Sequence, residues 1–121
     1  MALKPITKKE LQELKSIVDK QILNQQLNTF IEEFRSSLLL FAQKSSKTSY
    51  STCLYYSGIA DLVYIENKDY IKSRLTECFP DCKVEVIYKF RFLDGNYITS
   101  TENEIKEPYS TKFLYFNVDW S

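Results

Sequence analysis

Between Pro5 and Gly58 the chain contains neither proline nor glycine, and large apolar residues recur along it at three- and four-residue steps. Leu11, Leu14, Val18 and Ile22 form one stripe. Leu23, Leu27, Phe30, Phe34, Leu38 and Phe41 continue it on a slightly rotated face. Both segments read as amphipathic helix. If unbroken, a helix over residues 8–44 would be roughly 56 Å long at 1.5 Å per residue. A domain of 121 residues has a radius of gyration of only about 14 Å. One continuous helix must therefore project beyond its own body. The alternative is a helical hairpin broken near Asn24 to Asn28, where Asn24-Gln25-Gln26 is polar and Thr29 to Glu32 has the form of a second capping box.

The start of this helix is marked by Thr7-Lys8-Lys9-Glu10, a capping box in which the Thr7 hydroxyl accepts the Glu10 amide. Ile6 and Leu11 occupy the two positions of a hydrophobic staple, and Pro5 lies just outside. Ser45 to Ser49 is polar and reads as the loop that ends the helical part.

Beyond it the periodicity changes. Tyr50 to Ser57 alternates and closes at Gly58, which predicts a strand over 50–57. Ile59 to Ile65 reads as a connection of extended character. Asn67 is placed to cap a second helix whose core face is Ile71, Leu75 and Cys78, and Pro80 stops it. Lys83 to Phe92 alternates most cleanly, with Val84, Val86, Tyr88, Phe90 and Phe92 on one face. Asp94-Gly95 is a tight-turn dipeptide, so Asn96 to Ser100 is expected to pair back as a hairpin arm. Thr101 to Ser110 reads as an exposed loop. Lys112 to Trp120 alternates again, with Leu114, Phe116, Val118 and Trp120 in phase. The expected fold class is α+β: a long N-terminal helix or helical hairpin, then strand-helix-strand-strand forming a three- to four-stranded mixed sheet covered on one face. If the strands at 50–57 and 83–92 are parallel, the helix between them is a crossover. The size fits a single domain over residues 1–121, with a helical part at 1–47 and an α/β part at 48–121.

Several chemistries are disfavoured by residue type alone. There is no histidine, which removes the commonest general acid/base and a favoured zinc ligand. With Gly58 and Gly95 as the only glycines, no phosphate-cradling loop can be written. Cys78 and Cys82 flank Asp81, but with Cys53 they supply too few ligands for zinc, and Cys78 at a helix C-terminus is poorly placed for a thiolate. Three cysteines are an odd number for a disulfide framework, and a Cys78–Cys82 bridge stays open. The acidic pairs Glu32-Glu33 and Asp81 with Glu85 read as solvated faces. We therefore expect no enzyme, no catalytic or metal-binding residue and no cofactor.

Sixteen basic residues balance sixteen acidic ones, which disfavours a nucleic-acid coat or an anionic-membrane binder. Seventeen Tyr and Phe could stack bases, but in the strand at 83–92 the aromatics share one phase and Lys83, Lys89 and Arg91 the other. Nucleic acid is accordingly a disfavoured partner. No apolar run approaches the roughly 20 residues of a membrane span. The N-terminus lacks a secretory h-region, and the odd cysteine count agrees with a reducing, cytoplasmic location.

What remains is the long apolar stripe. Leu23, Leu27, Phe30, Phe34, Leu38 and Phe41, widened by Leu39 and Leu40, cover the sheet or form the core of a helical hairpin, serve as an interface for self-association or docking, or do both. The function expected is a non-enzymatic protein-protein interaction or assembly protein, a homo-oligomer or the binder of a protein partner. The alternatives are a monomeric inhibitor or adaptor, a histidine-free enzyme, and a single-stranded nucleic-acid binder.

Tyr70-Ile71 and Leu75 leading to Phe79-Pro80-Asp81-Cys82, the strand Val84 to Phe92, and the ending Val118-Asp119-Trp120 span residues 65–121. In these features the chain resembles small, largely uncharacterised α/β proteins of large eukaryotic DNA viruses. The resemblance implies a virion component or host-interaction factor, in the host cytoplasm or the virion, and carries over no site residue. Lys, Ile, Asn, Tyr and Phe make up 46 of 121 residues, the usage of A/T-rich codons, which an A/T-rich bacterium or its phage would share.

Overall fold

A computed structural model describes residues 3–121. The helix is continuous: α1 runs from Lys8 to Lys44. Thr7 caps it as expected, its hydroxyl accepting the Glu10 amide at 3.1 Å. Ile6 and Leu11 both stay exposed, so the expected staple buries little. The break expected near Asn24 to Asn28 does not occur. Leu23 and Leu27 pack on either side of the polar residues and hold that turn to the body. Thr29 does not cap a second helix; its hydroxyl donates to the Gln25 carbonyl at 2.9 Å, inside the helical ladder.

The remaining elements are β1 (Ser49–Tyr55), α2 (Ile59–Glu66), α3 (Lys68–Cys78), β2 (Lys83–Phe92), β3 (Tyr97–Ser100) and β4 (Tyr109–Asp119). The fold is α+β. The expected extended connection at 59–65 is instead a helix, because the turn at Tyr56 to Gly58 ends the strand and starts α2. The Gly58 amide donates to the Tyr55 carbonyl at 3.1 Å, and the Asp61 amide to the Gly58 carbonyl at 3.1 Å. Asp61 also accepts the Tyr55 amide at 2.9 Å, pinning strand end to helix start. Ile65 then reaches the core, so tertiary burial outweighs the β-branched composition of the segment. Asn67 uses its side chain differently from the expected cap: the amide donates back to the Val63 carbonyl at 2.7 Å and closes α2.

The strand order is β1-β4-β2-β3, and each neighbouring pair is antiparallel. The sheet is therefore antiparallel rather than mixed. β1 and β2 do run in the same direction, but β4 lies between them. The C-terminal strand thus sits inside the sheet, and the Trp120 amide donates to the Thr48 carbonyl at 2.8 Å to fasten its end. Gly95, at φ +91°, makes the turn between β2 and β3. Leu54, Tyr88, Phe90, Leu114, Phe116 and Val118 form the inner sheet face. They pack against Leu27, Ile31, Phe34 and Leu38 of α1, Ile65 of α2, and Ile71 and Leu75 of α3. All helices of the core lie on that side, and the other face of the sheet is open.

Candidate interaction surfaces

The six residues expected to form an interface are brought together, but inside the chain's own core. Leu27, Phe34 and Leu38 are buried, while Leu23, Phe30 and Phe41 are half-buried. Phe30 stacks on Tyr64 with ring centroids 4.4 Å apart and meets Phe116 edge-on at 5.9 Å. Phe34 and Phe41 both contact the Tyr50 ring, each at 5.3 Å. The C-terminal half of α1 covers the sheet, which leaves Leu27, Phe34 and Leu38 no surface for a partner, while Leu39 and Leu40 beside them stay exposed.

The N-terminal half has no such cover. Every residue from Lys8 to Ile22 is exposed, a stalk about 22 Å long at 1.5 Å per residue. It carries Leu11, Leu14, Ile17, Val18 and Ile22, each between 49% and 58% exposed. At about 100° per residue, the stripe Leu11, Leu14, Val18 and Ile22 points about 175° away from the buried stripe Leu27, Ile31, Phe34 and Leu38. The rotation between the two halves is thus nearly a half turn. The stalk's apolar face looks away from the body, and none of the described residues covers it. Its opposite side carries Gln12, Glu13, Ser16, Asp19 and Lys20.

The open sheet face is a second surface. Three of its rows across the strands are Cys53, Tyr115 and Ile87; Tyr55, Phe113, Lys89 and Thr99; then Thr111, Arg91 and Tyr97. Within β2 the aromatic and basic residues do separate by phase, as expected. Neighbouring strands nevertheless supply aromatics to the basic face, so rings and cations meet there after all. Tyr55 and Phe113 meet edge-on at 5.2 Å. Lys89 and Arg91 both lie over the Tyr97 ring, at 4.6 and 6.0 Å. A shallow depression of about 250 Å³ is lined by Ser51, Ile87, Lys89, Thr99, Tyr115 and Asn117. Burial, then contact with Cys53, pushes the Tyr115 hydroxyl up to about 12.

A third feature lies where β4 meets the loop before it. Lys112 shares the phase of Leu114, Phe116 and Val118, which places its side chain on the core side, only 8% exposed. Its ammonium rests on three rings, Tyr56 at 4.5 Å, Tyr88 at 5.2 Å and Phe90 at 5.7 Å. It donates to Asn103 Oδ1 and, at 3.0 Å, to Glu104 Oε1. Tyr109 Oη donates to the other Glu104 oxygen at 3.0 Å. Those two hydrogen bonds, Lys112 first, hold the Glu104 carboxyl below its ordinary value. Burial pushes the Tyr56 hydroxyl up to about 12. Lys112 thus ties the 101–108 loop to the body. Its position in the alternation was the signal for its burial; the surrounding cage depends on which strands become neighbours.

No group of three His, Cys, Asp or Glu side chains suited to a metal ion occurs among the described residues. Cys53, Cys78 and Cys82 are half-buried and unbonded. No helix among the described residues is long and apolar enough to cross a membrane. In comparisons with known proteins, no family model, curated protein or solved structure matches the chain.

Proposed function

We propose that this is a non-enzymatic interaction or assembly protein that works through the exposed stalk of α1 rather than through the buried half of that helix. One observation carries the reading: fifteen helical residues stand clear of the body with their apolar stripe turned away from it. An isolated helix of this length is marginal in water. Here the anchored half supplies the nucleus, and the stripe it extends into solvent is the kind of surface that marks association. The unpaired cysteines are compatible with work in a reducing, cytoplasmic compartment. The resemblance of residues 65–121 to viral proteins favours a virion or host-factor setting.

The test is solution mass by sedimentation over a wide concentration range. A mass that rises with concentration, and falls to that of the monomer on Leu14→Asp, is expected. A wild-type monomer that binds nothing through the stalk would overturn the proposal. A second reading, a monomeric adaptor binding through the open sheet, is favoured by the exposed Tyr55 and Tyr97 beside Phe113 and Lys89. It predicts that Tyr55→Ala and Lys89→Glu, not Leu14→Asp, abolish capture of the partner.

A further inference from the structure

From the order of residues along the stalk, we infer that its partner is a second copy of this chain, paired parallel and in register. The inference rests on the proposal that the stalk associates. In a two-stranded coil, positions a and d form the seam, and residue g of one helix meets residue e, five positions later, of the other. Placing Leu11 and Val18 at a and Leu14 at d puts Glu10 and Ile17 at g, and Lys15 and Ile22 at e. A parallel pair then sets Glu10 against Lys15 of the second copy and Ile17 against its Ile22. Symmetry makes each contact twice. Every exposed apolar residue from Lys8 to Ile22 is used, and acid meets base.

Antiparallel pairing fails on the same residues. The register that keeps Leu14 on Val18 of the second copy sets Lys15 against Lys15 and Leu11 against Gln21. Shifting it to bring Leu11 onto Leu14 sets Lys15 against Lys8 and Glu10 against Ile17. The β-branched Val18 at a with Leu14 at d also belongs to parallel dimers. The seam ends at Gln21 and Gln25, polar residues in the next d and a positions. The body begins on the opposite side of the helix, at Leu23 and Leu27, so the two bodies lie outside the pair.

The test is a charge-swap cycle read by sedimentation of the full chain. Glu10→Lys alone and Lys15→Glu alone should each weaken association about tenfold at low salt, since each loses two attractions and gains two repulsions. Adding Lys15→Glu to Glu10→Lys should strengthen it again, although the altered helix start persists in both variants. A second readout is Gln21→Cys, which should form an intermolecular disulfide between equivalent positions under mild oxidation. The native cysteines all lie in the body and supply the control. Self-association with no rescue and no cross-link through the introduced thiol would overturn the parallel pairing and leave the proposed function standing. Absence of any self-association would overturn the pairing, and if the stalk binds no other protein the proposed function falls with it.

Discussion

Replacing Leu14 by alanine, and separately Leu27 by alanine, divides the two halves of α1 by what each one buries. Leu14 is 57% exposed, so more than half of its surface is still available to a partner, whereas Leu27 at 2% has none left. Full burial of a leucine stabilises by about 1.5–3 kcal/mol. The unburied share of Leu14, less what alanine retains, is worth about 1 kcal/mol per chain, or about 2 kcal/mol per symmetric pair. That corresponds to a dissociation constant raised about thirtyfold. The monomer should lose nothing, because alanine is the stronger helix former at an exposed site. Leu27→Ala should do the reverse, costing about 2–5 kcal/mol in unfolding free energy through the cavity it leaves. The assay pairs sedimentation over a concentration series with urea unfolding at the lowest concentration, where association no longer adds to stability. If Leu14→Ala lowers the urea midpoint as much as Leu27→Ala and leaves the mass unchanged, the stalk is packed on the body and the reasoning is refuted.

Lys112→Met keeps the aliphatic contact with Tyr56, Tyr88 and Phe90 but removes the hydrogen bonds to Asn103 and Glu104. It should change stability by less than about 1.5 kcal/mol while trypsin cuts faster after Lys106; an unchanged cleavage rate would show that the loop is held otherwise. Tyr56 and Tyr115, both raised to about 12, bind their protons more tightly folded than unfolded. Their contribution is complete below the ordinary tyrosine value of about 10 and is lost as pH rises towards about 12. Each should ionise near pH 12 in a near-ultraviolet titration, and Tyr56→Phe should flatten the alkaline fall in stability. Glu104 has the opposite sign: its lowered value stabilises above the ordinary carboxylate range and is lost on acidification, so Glu104→Gln should flatten the acid side. Gly95→Ala meets no atom within 4 Å, so its cost is the positive φ alone. Unfolding should register about 1–2 kcal/mol, and no loss would mean that the turn relaxes.

Local signals locate most of the elements. Thr7 and Glu10 mark the start of α1, alternation marks β2 and β4, Asp94-Gly95 marks the hairpin, and Pro80 marks the end of α3. Each depends on neighbours within a few residues, which the order of side chains states directly. Ile59 to Ile65 departs from its expected extended form because an apolar run of that length satisfies strand and helix alike, and only the burial of Ile65 and the Asp61 contact with Tyr55 separate the two. The stripe expected to form an interface is largely buried for a related reason. Periodicity identifies a stripe but not what covers it, and the stripe rich in phenylalanine is the one the sheet needs.

The linear order of residues was enough to define an amphipathic helical N-terminal part, an alternating C-terminal sheet and a chain without histidine chemistry or glycine loops. Those properties follow from residue type and near-neighbour spacing. Strand pairing, by contrast, joins residues far apart in the chain, so the insertion of β4 between β1 and β2 could be settled only in three dimensions. That insertion puts Phe113 and Tyr115 beside Lys89 and Ile87, and encloses Lys112 between Tyr56 and Tyr88. It also gives the sheet a single inner face that the C-terminal half of α1 can cover, and the half-turn between the two apolar stripes leaves Leu11 to Ile22 facing outward.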